Sequence, residues 1–234
     1  MYAGSRFDSL NLDRAAAPNA REGRDMLADP VAGMRKAAAA ITALDDEIGA
    51  LVTKLAERKL RDGTIVIFTA TCGALLGRHG LWDAGAASEP VNLYDETVAT
   101  PMFWSWLGRV PAQATRPELV TALDVVPTLC EITGAPLPAG NLYGRSYLPL
   151  LTGQPLPKKQ PWRTTVCARY QGADMAREER YKLVLRDGGK GPNELFDISQ
   201  DPRERVNQYD NGSYTTVKDR LAAEVARWKQ RYSS

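Results

Sequence analysis

The sequence predicts an α/β fold followed by a small antiparallel unit, and three observations carry that reading. A long amphipathic helix runs through a tight turn into a short β-branched strand. A glycine-rich loop follows that strand. Beyond a Pro/Gly-rich passage the pattern then changes, and short strand-like runs separated by turns replace helix-length periodicity.

The helix opens at Asp29-Pro30, an N-cap residue followed by proline at the first helical position, where the missing N–H removes no hydrogen bond. Met34, Ala37, Ile41, Leu44, Ile48, Leu51 and Leu55 recur at three- and four-residue steps, which places them on one stripe. The turn pair Asp62-Gly63 is the predicted stop. Residues 1–29, polar and broken by Pro18 and Gly23, read as an irregular arm lying on a larger body. Residues 64–69, Thr-Ile-Val-Ile-Phe-Thr, lack polar alternation, which predicts a strand covered on both faces, as in a parallel sheet. Ligands of open α/β sheets bind beyond the carboxyl ends of strands, so the loop over 70–87 is the place to look for chemistry.

Residues 91–98 predict a helix or turn, and 101–106 a second buried strand with Trp104 and Trp106 as packing residues. Residues 119–132 predict a helix with Leu123, Val126, Leu129 and Cys130 turned inward. The Pro/Gly-rich stretch near 153–161 suggests a boundary between a core unit, 1–155, and a smaller one, 156–234. In the latter, runs at 164–169, 181–185 and 194–197, with the turn Asp187-Gly188-Gly189, predict an antiparallel sheet. A final helix over about 216–231 would face it with Val217, Leu221, Val225 and Trp228.

Composition bounds the function classes. The chain of 234 residues is 44% hydrophobic and 25% charged, with a mean hydropathy of -0.35, as in folded globular chains. Thirty Lys+Arg against 28 Asp+Glu give a net charge of +2, too little and too evenly spread for a nucleic-acid footprint. The longest small-apolar run, 37–44, is far short of the ~20 residues a membrane span needs. Residues 1–10 have neither a basic nor an apolar leader segment, so the expected location is cytoplasmic by default. Cys72, Cys130 and Cys167 are far apart with no CxxC pair, and His79 is the single histidine.

Several ordered motifs resemble the sulfatase family of the alkaline-phosphatase-like superfamily. Leu44-Asp45-Asp46-Glu47-Ile48-Gly49 is similar to its LDxxIG helix. Residues 64–69 followed by Gly73 are similar to its TIVxFTSDHG strand and loop, and Leu76-Gly77-Arg78-His79-Gly80-Leu81-Trp82 to its LGxHGLW stretch. Tyr94-Asp95-Glu96-Thr97-Val98 with Pro101, Asp124-Val125-Val126-Pro127-Thr128-Leu129 and Gly144-Arg145-Ser146-Tyr147-Leu148-Pro149-Leu150 match three further elements. The tail matches as well, through Arg180-Tyr181-Lys182-Leu183, Glu194-Leu195-Phe196-Asp197, Asp201-Pro202, Glu204 and Asn207. The resemblance runs from about residue 30 to the end and covers the C-terminal half of the family pattern.

The resemblance implies part of an alkaline-phosphatase-like mixed or parallel sheet with flanking helices, plus a small C-terminal antiparallel sheet packed on a terminal helix. It implies sulfate-ester hydrolysis by descent, through a formylglycine made from Cys or Ser in a CxPxR motif and a Ca²⁺ or Mg²⁺ ion held by hard oxygen ligands. This sequence departs from that pattern. No CxPxR occurs; Thr71 and Cys72 stand where the family has Asp and His or Asn; Ala84 stands where a sulfate-binding lysine is expected. His79 remains as the candidate catalytic residue and Arg78 as the candidate anion contact, with no metal ligand and no cofactor expected.

Three readings follow: a sulfatase by descent that is inactive alone, a non-catalytic binding or interaction protein, or one half of a split enzyme completed by a partner chain. The implied ligand is a sulfated small molecule or glycan, with no nucleic acid and no membrane as partner. Unpaired strand edges and apolar faces would favour a homodimer or the missing N-terminal half. Plainer roles compete at each position. His79 would be a loop histidine bonded to a backbone carbonyl, and Cys72 a small buried cysteine rather than a reactive thiol. Asp45 and Asp46 would be structural, Asp95-Glu96 a helix start, and Asp201-Pro202 with Glu204 a turn followed by a cap. Lys158-Lys159 and residues 177–180 would be solvated faces.

Overall fold

The computed structural model describes residues 2–10, 12–13, 15–21, 23–140, 143–157, 159–189 and 191–232. The N-terminal arm carries one short helix, α1 (Arg24–Ala28), and lies along the loop that the sequence marks for chemistry. Its backbone bonds that loop through Asp13 N to Gly77 O, Ala17 N to Gly80 O and Arg21 N to Ala87 O. Ala20 and Leu27 are buried there.

Helix α2 (Pro30–Glu57) begins as the sequence predicts, with the Asp29 side chain accepting from Ala32 N at 2.9 Å. It ends before Asp62-Gly63. Lys59 takes a left-handed φ of 57°, Leu60 N bonds Leu55 O and Lys59 N bonds Ala56 O, which is a Schellman stop. The helix is anchored near its start, where Gly33 lies against the Trp82 ring and Met34 is buried. Tyr2 Oη bonds Thr42 Oγ1 at 2.8 Å. Farther on, Ile41, Leu44 and Leu51 are 63%, 50% and 56% exposed.

Strand β1 (Val66–Thr69) pairs with β2 (Met102–Ser105), in antiparallel register from Val66↔Ser105 to Thr69↔Met102. This corrects the expectation of two strands buried on both faces. β1 is half-buried along Val66–Phe68, and β2 alternates half-buried and exposed residues. Trp104 turns to the body beside Tyr147, ring centroids 5.6 Å apart, while Phe103 is exposed. Between the two strands lies a single helical turn, α3 (Asp95–Val98).

Helix α4 (Val125–Thr133) is preceded by a capping box in which Thr121 and Asp124 bond each other's backbone. The predicted inner face is rotated. Asp124, Pro127 and Thr128 are buried, whereas Leu123 and Val126 are exposed, because the Asp124 carboxylate pulls its own side inward. That carboxylate takes both Arg163 guanidinium nitrogens, at 2.6 and 2.7 Å, and Arg145 N at 2.7 Å. Helix α5 (Leu148–Thr152) contributes Leu150 to a cluster with Tyr147 and Trp162.

The C-terminal part is a four-stranded antiparallel sheet in the order β3 (Val166–Tyr170), β4 (Ala173–Arg177), β5 (Tyr181–Arg186), β6 (Glu194–Asp197). One face packs on α6 (Thr215–Tyr232): Ala176, Leu183 and Leu195 meet Leu221 and Val225. The other face meets Val91 and Leu93 through Met175 and Val184. The alternation along β5 therefore sends Leu183 toward α6, and Lys182 and Val184 toward the segment that leads into α3.

Candidate functional site

The loop after β1 folds as a narrow hairpin. Leu75 N bonds Asp83 O, Leu76 N bonds Trp82 O and Gly77 N bonds Leu81 O, with a 3-10 turn over Arg78–Gly80 at its tip. Leu75, Leu81 and Ala87 form a small core with Ala20. Gly73 presses on α3: its N–H bonds Thr97 O at 3.0 Å, and a Cβ there would overlap Glu96 O. The loop and α3 thus face each other.

The tip brings Arg78 and His79 to one carboxylate. Arg78 Nη1 is 3.4 Å from Glu96 Oε1, and His79 Nε2 is 3.6 Å from Glu96 Oε2. The His79 imidazole, 7% exposed, stacks on Tyr94 with centroids 3.7 Å apart and planes within 8°. This replaces the expected bond from His79 to a backbone carbonyl. His79 holds a left-handed φ of 57°, which fixes the ring against Tyr94. Burial raises the Glu96 carboxyl, but its contacts with His79, its own backbone N–H and Arg78 outweigh that and hold it below the usual range. The Tyr94 hydroxyl is pushed up to about 12, first by burial and then by the charges of Glu194 and Glu204.

Thr71 and Cys72 precede this tip and are both exposed. The reading of Cys72 as a small buried cysteine is therefore corrected. Ala84 lies at the far end of the hairpin from Arg78, where its N–H bonds Asp83 Oδ1 at 2.8 Å and Asn92 Nδ2 reaches its carbonyl at 3.3 Å. Arg78, His79 and Glu96 are brought together; Ala84 is not part of their group. Of the donors after β1, the thiol is too soft for a hard divalent cation, and the hydroxyl is a neutral donor where the resemblance expects a carboxylate. Among the described residues no group of three or more His, Cys, Asp or Glu side chains is placed to hold a metal ion.

Beside the tip sits an ion cluster that the sequence reading missed. Lys182 is fully buried, and its Nζ lies 2.9 Å from Asp95 Oδ1 and 2.8 Å from Glu204 Oε1. Arg177 Nη2 reaches Asp95 Oδ2 at 2.9 Å, and Asp95 N donates to Glu204 Oε2 at 2.6 Å. Glu204 therefore closes the start of α3, not a cap of its own turn. Arg177 and Arg180, expected on a solvated face, pair with Asp95 and Asp197. Lys158 lies outside the described residues. Burial raises the Glu204 carboxyl, and Asp95 adds to that, against the lowering by Lys182 and by the Asp95 N–H. No signal in the sequence marks Lys182, because its phase along β5 holds Arg180, Val184 and Arg186 and reads as the polar face of the strand.

Two cavities accompany these groups. One of about 260 Å³ lies beside Pro90 and Arg186, and one of about 1000 Å³ runs along β2 and the loop after it. Neither is lined by Arg78, His79 or Glu96.

The family model described as Sulfatase matches residues 8–135, and that of N-sulphoglucosamine sulphohydrolase, C-terminal, matches 77–231; the chain belongs to the sulfatase family. A choline-sulfatase of Rhizobium meliloti is 27% identical over 173 residues, 73% of this chain and 32% of that protein. An N-acetylglucosamine-6-O-sulfatase of Bacteroides thetaiotaomicron is 24% identical over 210 residues, 85% of this chain and 36% of that one. A solved structure of a protein in complex with its substrate D-glucosamine-2-N,6-O-disulfate shares the fold, at a TM-score of 0.78 and 21% identity, over 99% of this chain and 46% of that one. The chain thus spans about a third of the length of these curated relatives.

Proposed function

We propose that this chain is a sulfatase-family scaffold that does not hydrolyse sulfate esters by itself. One observation carries the reading: the loop after β1 presents an exposed hydroxyl at Thr71 and an exposed thiol at Cys72, where the resemblance expects hard metal ligands. Neither donor replaces a carboxylate at a calcium or magnesium ion. Arg78 and His79, the groups left to meet a sulfate, both lie beside Glu96, at 3.4 and 3.6 Å, with His79 buried and Arg78 partly exposed. A sulfate that displaced Glu96 would leave that carboxylate without Arg78 and His79 beside it, which weakens binding as well as chemistry. The ligand class is sulfated small molecules or glycans, on the strength of the relatives alone.

The test is 4-nitrophenyl sulfate with the purified chain, with and without added Ca²⁺ or Mg²⁺, together with calorimetric titration of each ion. The expected result is release at the buffer rate and no saturable heat. Turnover from purified chain, or stoichiometric calcium binding lost in Thr71→Ala, overturns the proposal. A second reading, completion by a partner that carries the remaining fold, draws support from the alignment of the whole chain with under half of a structural neighbour. Restored turnover on co-expression with the N-terminal half of a related sulfatase would establish it.

A further inference from the structure

His79 is the single histidine of the chain, and it is held where one proton changes the balance of charge. Its side chain is buried and lies flat against Tyr94, on a backbone whose left-handed φ fixes the ring. Nε2 is 3.6 Å from Glu96 Oε2, longer than a hydrogen bond, and has no hydrogen-bond partner among the described residues. A neutral imidazole therefore gains little from Glu96. An imidazolium gains a Coulombic attraction that needs no hydrogen-bond geometry, at a site that salt screens weakly.

The other charges around the ring are matched. On the hairpin tip Arg78 meets the second oxygen of Glu96. From the arm, Asp13 accepts from Gly80 N at 3.1 Å and pairs with Arg205. Behind Tyr94, Asp95 and Glu204 meet Lys182 and Arg177, and Glu194 pairs with Arg186. With His79 neutral, five cations stand against five carboxylates among these described groups, and the Tyr94 hydroxyl, at about 12, stays uncharged. The proton on His79 adds a charge that only Glu96 lies close enough to answer. Folding holds the Glu96 carboxyl below its ordinary 4.5, so the carboxylate persists through mild acid. Imidazoles change charge between about pH 5 and 8. The pair is therefore made on the acid side of that window and lost as pH rises through it.

We infer that His79 is a proton-operated latch between the hairpin tip and α3: protonated, it pairs with Glu96 and holds the tip on α3; neutral, it leaves that tie to Arg78. The latch is independent of whether the chain hydrolyses sulfate esters. Urea unfolding of the full chain at pH 5.5 and pH 8 tests it, with wild type, His79→Phe, Glu96→Gln and the double variant. Phenylalanine keeps a ring against Tyr94 but takes no proton; should it not fold, His79→Asn, which tolerates the left-handed φ, takes its place. Glu204, which folding also moves toward neutral pH, is retained in all four chains and cancels from the cycle. The expected coupling between His79 and Glu96 is at least about 2-fold larger in the unfolding constant at pH 5.5 than at pH 8. An Arg78→Gln/Glu96→Gln cycle in the His79→Phe background should be equal at both, since a guanidinium keeps its charge. In the wild type, amide exchange at Leu76 and Gly77, which bond Trp82 O and Leu81 O, should be at least about 2-fold slower at pH 5.5 once the intrinsic rate is removed. A His79–Glu96 coupling that is absent or the same at both pH values overturns the proposal. So does an Arg78 cycle that changes with pH in parallel, or hairpin exchange that does not respond.

Discussion

Replacing Lys182 by methionine should be among the most damaging single changes to this fold. The ammonium is fully buried between Asp95 and Glu204, whose side chains are 28% and 1% exposed. Methionine fills much of the same volume, so cavity formation contributes little, and the loss is the charge. Asp95 keeps Arg177, whereas among the described residues Glu204 keeps the Asp95 N–H. Breaking one partner of a buried cluster costs about 3–5 kcal/mol, which for a chain of this length lowers Tm by roughly 6–20 °C. The loss should depend on pH. Folding raises the Glu204 carboxyl above its ordinary 4.5, so the folded chain binds that proton more tightly. Its favourable contribution is complete below pH 4.5 and is lost as pH rises through the raised value. Asp95 runs the other way: its carboxyl is held below 3.8, and its contribution is lost only as pH falls below that range. Removing Lys182 raises Glu204 further, so the penalty should be smaller at pH 5 than at pH 7, in the direction that protonates Glu204. Urea denaturation of the wild type, Lys182→Met and Lys182→Met/Glu204→Gln at both pH values measures this. A single-variant loss under about 1 kcal/mol, a penalty flat with pH, or a double variant no better than the single would refute the reasoning.

Other substitutions test the remaining anchors. Gly33→Ala should cost about 1–3 kcal/mol by urea denaturation, because the added methyl overlaps the Trp82 ring that ties α2 to the hairpin. Lys59→Gly should raise stability by about 0.5–1 kcal/mol, since a side chain there sits at a φ of 57° in the Schellman stop. Asp124→Asn should cost about 2–4 kcal/mol in the same assay, leaving Arg163 without its bidentate partner. An NMR titration should find Asp197 at about 2, held down mainly by Arg180 and Ser199 against burial. The stability it lends is therefore present above its ordinary 3.8 and lost as pH falls toward 2.

Elements with a strong local signal were legible in the sequence, and those set by long-range partners were not. The start of α2 could be read because Asp29-Pro30 carries both cap and proline chemistry. Its end could not, because the left-handed stop is Lys59, with no glycine to mark it. β4 went unread because Ala-Asp-Met-Ala-Arg has no β-branched residue; the sheet on both sides of it and α6 above make it a strand. The face of α4 was misjudged because periodicity gives a stripe but not its orientation, and Asp124 with Arg163 overrides the apolar count. At the site, Arg78 and His79 were visible as residues. Their common partner Glu96 was not, since eighteen positions separate it from Arg78 and only the hairpin brings them together.

The ion pairs around α3 also explain how the scaffold can persist with this loop. Here Arg78 and His79 meet Glu96, Lys182 meets Asp95 and Glu204, and Arg177 meets Asp95. Each of these side chains lies against a carboxylate of the chain itself, and those carboxylates lie at or beside the start of α3, the element that faces the loop after β1. The same pairs join the hairpin to α3, and α3 to the C-terminal sheet through β4 and β5. These contacts tie three segments together, the hairpin tip to α3 through Glu96, and α3 to β4 and β5 through Asp95 and Glu204, so the fold around the loop does not depend on Thr71, Cys72 or Ala84.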